Sequence, residues 1–365
     1  MEAYIGTVSD VIYDTVIVGA GVIGLASAFA LAQEGYRVAL VDDAPGAGAS
    51  YAAAGMLAPG AESSPEHASF TQQTVRAREQ WPTFLADINR VAEANCELQI
   101  PGSVFVGWDV DDRREWRRYF ETAHEQGLTS RTISRDDELP RFSGLSERVS
   151  DGYFVSSDAY VDPDEIVSGL ISAAQRRGVE IHRSRATHCH VKDGEAMTEI
   201  AGSTVVSRTG IVATGFQREP LEILSSSVRR LRPVRGVTLR LRSVRRDEQP
   251  MVRAYVKGRL VYVVRRRDGT VLVGASSDES PERVVEAGSV RRLLEDATLV
   301  VPELDEAQFL EARVGLRPAS DQQIPFFERL ADGPWAWSGG HYRHGFLMAP
   351  QAAQTAVDFV RQLLP

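Results

Sequence analysis

The chain has 365 residues, 43% hydrophobic and 25% charged, the balance of a folded globular protein with one large or two ordinary domains. Its net charge of −9 argues against nucleic acid or an anionic membrane as partner, because both reward a basic surface. Two cysteines, Cys96 and Cys189, leave no room for a disulfide framework and suit a reducing cytoplasm, and no Cys/His cluster points to a metal.

The first element to interpret is TVIVGAGVIGLASAFALAQEG, Thr15 to Gly35, uncharged until Glu34. Its length approaches the ~20 residues of a bilayer span. Against a span or a secretion signal stand Gly19, Gly21 and Gly24, the acidic Asp10 and Asp14 upstream, and the lack of a basic leader. It divides better into a buried strand, DTVIVG, and a helix opened by Gly21, Val22 and Ile23 and stopped by Gly35. YRVALVDD is then a second buried strand, ending in Asp42 and Asp43. Strand, G-x-G-x-x-G, helix, strand, acid is the dinucleotide-binding arrangement. Gly19 permits the turn, Gly21 lets a pyrophosphate approach the backbone and helix N-terminus, and Gly24 packs helix on sheet. Asp42 would bond ribose hydroxyls and repel a 2′-phosphate, which disfavours NADP.

Further along, Ala44–Ser63 is small, apolar and glycine-rich, with room for a flat cofactor. FTQQTVRAREQWPTFLADINRVAEA has helical periodicity, and GSVFVGWDVDD is a strand running into an acidic turn. TGIVATG, Thr209–Gly215, is another buried strand with a small-residue end. Residues 229–280 alternate in strand fashion, as in RGVTLRLRSV, RLVYVVRR and GTVLVGAS, and SPERVVEAGSVRRLLEDATLVVPEL has helical spacing. VGLRP and a final amphipathic helix complete the chain. Several separated small-residue turns fit an extended FAD better than NAD, which needs one. The expected fold is α/β: a doubly wound, Rossmann-like FAD-binding domain (1–65, 150–217, 312–365) interleaved with an antiparallel-sheet substrate domain (66–149, 218–311).

ASYAAAGMLAP, GYFVSSDAYVDP, IVATG, RPVRG, VGLRP and GHYRHGFLMAP resemble the motifs of FAD-dependent amino acid oxidases of the D-amino acid oxidase superfamily, and within it the bacterial glycine oxidases. The resemblance runs from Val16 to Leu364. It implies a noncovalent FAD, since the C-terminal motifs hold no cysteine for a covalent link. Flavin contacts would come from the motif glycines with Val22, Ile23, Asp42 and Asp43; from Ala49, Ser50, Ala53, Ala54, Gly55 and Met56; from Thr187, Ala213, Thr214 and Gly215; and from Gly315, Arg317, His341, Arg343, His344, Gly345, Phe346 and Leu347. It also implies an amino acid substrate, O2 as acceptor, a homo-oligomer and a cytoplasmic location. A quinone-linked dehydrogenase is the alternative on the same fold.

The resemblance assigns Arg317 to the substrate carboxylate, a role suited to a planar bidentate donor. Tyr262 and Arg343 fall on active-site positions, Met56 on the pocket wall and Glu62 on an acid at the pocket entrance. No general base is required, because hydride transfer from a neutral amine needs orientation and electrostatics. Several positions depart from the family pattern: His344 for asparagine, Val237 for glutamine, FQRE (Phe216–Glu219) for a tryptophan-serine pair, and Arg259 for a smaller residue. The arginines of 229–246 and 265–267 read as a solvated sheet face. A pocket retuned for an N-carboxymethyl amino acid, with Arg259 on its wall, is the sharper alternative.

Overall fold

The computed structural model describes residues 7–62, 64–136, 144–217, 231–243, 249–330 and 333–364. Strand Thr7–Val18, helix Val22–Gln33 and strand Val38–Val41 form a parallel strand–helix–strand unit, with Thr15–Val18 in register against Val38–Val41. The helix is apolar all round because it is covered on all sides, with Leu25, Ala28, Phe29 and Leu31 fully buried. The C-terminal helix Gly345–Leu363, the helix Pro163–Arg176 and the helix Ala68–Ala92 pack around it in one core that includes Trp81, Ile88 and Leu170.

Six strands line up across the first sheet in the order Phe326–Leu330, Trp335–Gly339, Ser203–Val212, Thr7–Val18, Val38–Val41, Glu180–His182. Thr7–Val18 and Ser203–Val212 lie at its parallel centre, and their carboxyl ends bring Val18–Gly19 beside Val212–Ala213. A crevice outside the carboxyl ends of parallel strands is the usual place for a ligand in an open α/β sheet.

The second sheet runs Asp278–Glu279, Arg232–Arg242, Thr270–Gly274, Arg259–Arg265, Met251–Val256, Ser103–Gly107, Asp151–Val155, Ser130–Ser134, with Gln308–Ala319 along the free side of Arg232–Arg242. Two segments cross the expected partition. Asp151–Val155 and most of Gln308–Ala319 pair in this second sheet, because Gln308–Ala319 follows Arg232–Arg242 along almost its whole length. The motif VGLRP is therefore delivered to the cleft from the sheet side.

Two local readings are corrected. The acidic turn after Gly107 is the start of a helix, Val110–Glu125, capped reciprocally by Asp109 and Asp112; its many charges hid its periodicity. The helical pattern expected from Ser280 begins only at Ala287, where the helix Ala287–Val300 starts. The arginine-rich strands are also more than a solvated face. Arg235, Arg253, Arg265 and Arg266 are buried and face Glu286, Glu62, Glu303 and Asp162 respectively. Arg218, Glu219, Arg229, Arg230, Arg245 and Arg246 lie outside the described residues. Among the described residues no helix is long and apolar enough to cross a membrane.

Candidate active site

A cleft of about 420 Å³ lies between the two sheets, within the ~300–1,000 Å³ of a small-molecule pocket. One end is built by the glycine turn. Gly19 has φ +104°, and a side chain there would run into the Ala213 carbonyl 2.5 Å away. A Cβ on Gly24 would collide with the Gly19 carbonyl, so helix and turn touch backbone to backbone. Val22 N–H, in the first turn of the helix, donates to Ser50 Oγ at 3.0 Å, while the N-cap residue itself is Gly21, which has no side chain to cap that end. The Asp42 carboxylate accepts from Ala20 N–H at 2.6 Å and Ala44 N–H at 2.7 Å, which aims it along the turn. An anion-accepting helix end, a backbone-lined approach and a carboxylate for hydroxyls fit the adenosine diphosphate half of FAD.

The other end is built by the second sheet and by the loop before the last helix. The Arg317 guanidinium donates to Ser276 O at 3.0 Å and lies over Gly236, where a Cβ would fall 2.5 Å from Nη1. Gly236→Ala should therefore displace the guanidinium while leaving the fold intact, since the colliding atoms are the far end of a flexible side chain. The expected outcome is a rise of about tenfold in KM for a carboxylate substrate with little change in Tm, measured by steady-state kinetics and thermal unfolding.

Tyr262 approaches Thr238 Oγ1 at 3.3 Å, and Thr238 donates to Ala52 O at 2.9 Å, so the phenol is tied to the AAAGML segment. Burial raises its pKa, keeping it a neutral donor. Tyr342 takes φ +45°, a strained left-handed conformation for a side chain of its size, and its N–H donates to Pro318 O at 3.1 Å. That bond ties the HYRHG loop to the strand carrying Arg317. Arg343 lies over the Tyr342 ring at 4.9 Å. Burial works to raise the Tyr342 phenol, but Arg343, Ser277 and Arg317 outweigh it and hold it below the usual tyrosine range.

Behind Arg343 lies a buried charged cluster. Glu62 is 3.3 Å from Arg253 Nη1 and 3.3 Å from His344 Nδ1. Burial alone would raise the Glu62 carboxyl; His344, Arg253 and Arg343 override it and bring it to about 2. The turn presenting Glu62 is held by Asp158, which accepts from Gly60 N–H at 3.0 Å and Ala61 N–H at 2.9 Å. Burial pushes the Asp158 carboxyl up to about 6 and the His341 imidazole down to about 4, so His341 is neutral near pH 7.

Most of the expected positions face this cleft, among them Gly19, Gly21, Val22, Ile23, Asp42, Asp43, Ala49, Ser50, Ala53, Ala54, Gly55, Met56, Glu62, Ala213, Thr214, Gly215, Tyr262, Gly315, Arg317, His341, Arg343, Gly345 and Phe346. Gly24 and Leu347 pack behind it, and His344 turns to Glu62. Two positions are elsewhere. Arg259 makes a two-pronged pair with Asp296 at 2.6 and 2.8 Å on the outer side of its strand, so it is no pocket wall. Thr187 is exposed and bonds the Glu199 carbonyl at the edge of the first sheet. Gly236, Arg283, Ser338 and Tyr342 also line the cleft without having been singled out; Gly236 and Tyr342 sit inside the quoted motifs RPVRG and GHYRHG.

A family model described as FAD dependent oxidoreductase matches residues 14–359. The chain belongs to that family. Among curated relatives, glycine oxidase of Geobacillus kaustophilus is 24% identical, over 96% of this oxidoreductase and 93% of its own length. The putative thiamine biosynthesis oxidoreductase ThiO of Rhizobium etli is 29% identical over 92% of each chain. The bifunctional protein ThiO/ThiG of Trichormus variabilis is 28% identical over 95% of this chain, which spans about half (52%) of that protein. Among solved structures, the G. kaustophilus glycine oxidase superposes with a TM-score of 0.88 at 24% identity, covering 96% of this chain and 95% of that one. An iminodiacetate oxidase from Chelativorans superposes at 0.84 and 20% identity, covering 95% of each. These likenesses establish the fold; the family model establishes the dependence on FAD.

Proposed function

We propose that this FAD-dependent oxidoreductase is an amine oxidase of the glycine-oxidase type, acting on a glycine whose nitrogen carries a second carboxylate-bearing arm. The observation that carries the reading is a pair of guanidinium groups. Arg317 and Arg343 face one cleft, and among the described residues neither has a carboxylate within ion-pair distance. Two cleft-facing guanidinium groups, Arg317 with no paired carboxylate and Arg343 only in the longer-range field of Glu62, suit a ligand with two carboxylates. Iminodiacetate, named for one structural neighbour, is such a ligand.

In this reading Arg317 clamps the α-carboxylate and Tyr262 donates to it, while Arg343 takes the second arm. Held this way, the substrate presents Cα–H to one face of the cleft. FAD, when bound, would supply the hydride acceptor and pass the electrons on to O2, giving H2O2. The neutral amine loses the Cα hydride as a two-electron oxidation while its nitrogen lone pair forms the C=N bond, and water adds to that iminium and splits it into glyoxylate and the free amine. The chain provides orientation and positive potential; His341, neutral near pH 7, adds no charge beside them.

Free glycine is the second reading, supported by the glycine oxidases that match over nearly the whole chain. The test is anaerobic bleaching of the flavin absorbance by glycine, sarcosine and iminodiacetate, with glyoxylate measured on return of air. The expected order of kcat/KM puts iminodiacetate first. Glycine reducing the flavin fastest would reject the dicarboxylate, and dye reduction without peroxide under air would reject the oxidase.

A further inference from the structure

We infer that Arg283 is a cofactor-holding residue, a cation that closes the segment 280–286 over the diphosphate part of the cleft. This segment leaves the second sheet after Asp278–Glu279 and precedes the helix Ala287–Val300. Pro281 and Arg283 face the cleft, and Arg283 Nη2 donates across it to Ala47 O at 2.7 Å. Ala47 belongs to the glycine-rich loop of the opposite side. Its neighbour Gly46 donates to Ala20 O at 2.9 Å, and Ser50 Oγ accepts from Val22 N–H at 3.0 Å. The loop gripped by Arg283 is thus bonded directly to the glycine turn and the helix end where a diphosphate fits.

Charge points the same way. Among the described residues Arg283 has no carboxylate within ion-pair distance, and its neighbour Glu286 is engaged by Arg235 at 2.7 Å. The same end of the cleft carries Asp42 and Asp43, which repel an anion. A guanidinium that spends one donor on Ala47 O among the described residues, and lines the same cleft as the helix N-terminus, offsets that repulsion and matches phosphate oxygens in its fork geometry. Because the residue comes from the sheet side, binding FAD through it also ties the two halves of the molecule together.

The test follows release of FAD from the holoenzyme. On dilution to nanomolar concentration, flavin fluorescence should report a Kd about tenfold higher for Arg283→Gln and about a hundredfold higher for Arg283→Glu, with Arg283→Lys between wild type and Gln. Excess ADP should accelerate flavin loss, and the Kd of Arg283→Gln should depend less on salt than that of wild type. Arg291→Ala, which removes an exposed pair with Glu295 on the following helix, is the control and should leave Kd unchanged. A Kd within twofold of wild type in both Arg283→Gln and Arg283→Glu overturns the inference. An equal rise in Arg291→Ala overturns it too, since net charge alone would then explain the effect.

Discussion

Replacing Arg317 with alanine should lower kcat/KM for a carboxylate substrate by about 10²–10³, roughly 3–4 kcal/mol, with most of the loss appearing in KM. The size follows from how the side chain is held. Among the described residues its guanidinium has one hydrogen bond, to Ser276 O, and it lines the cleft. No carboxylate of the described protein shares its charge, so the interaction with a bound carboxylate is undiluted. Arg317→Lys keeps the charge and loses the planar fork, and should recover about half of that loss on a logarithmic scale. The folded state should lose little, since the alanine variant removes a cation that has no protein counterion. Steady-state kinetics with thermal unfolding separates these effects. An unchanged KM in Arg317→Ala, with flavin fully bound, would falsify the assignment of the carboxylate to this residue.

The glycine turn was legible because backbone contact restricts residue type: only glycine fits at Gly19 and Gly24, and the apolar runs on either side fix strand and helix. Position 317 was legible from its motif, but its path over Gly236 was not, since that needs the register of Arg232–Arg242 against Gln308–Ala319. Arg259 illustrates a signal present and overlooked. It lies three residues before Tyr262 on one strand, and an odd separation puts two side chains on opposite faces. With Tyr262 toward the cleft, Arg259 had to point away, where Asp296 meets it. The helix Val110–Glu125 was obscured by its charges, although Asp109 and Asp112 are spaced as a reciprocal cap. The Glu62 cluster had no local signal: Arg253 and His344 reach it from distant parts of the chain, and only tertiary packing brings them together.

That cluster yields the largest stability effect expected. Glu62 and Arg253 have side chains 7% and 4% exposed, so neither charge can be returned to water when its partner is lost. Glu62→Gln leaves the Arg253 guanidinium over the faces of Phe105 and Tyr119, 5.4 and 5.7 Å away, with its paired carboxylate gone. Breaking a buried pair from one side costs about 3–5 kcal/mol. The carboxyl shift gives a similar figure: from 4.5 to about 2 corresponds to roughly 3 kcal/mol. Because the folded value is the lower one, this stabilisation is present above pH 4.5 and disappears as pH falls toward 2. Denaturant unfolding should therefore show wild type well above Glu62→Gln at pH 7, the gap narrowing below pH 4.5 and closing only near pH 2. Removing both charges, as in Glu62→Gln with Arg253→Met, should recover much of the loss at pH 7, because the stranded cation is gone. A single variant as stable as wild type at pH 7, or a gap that does not narrow on acidification, would mean that Glu62 does not hold the cluster together.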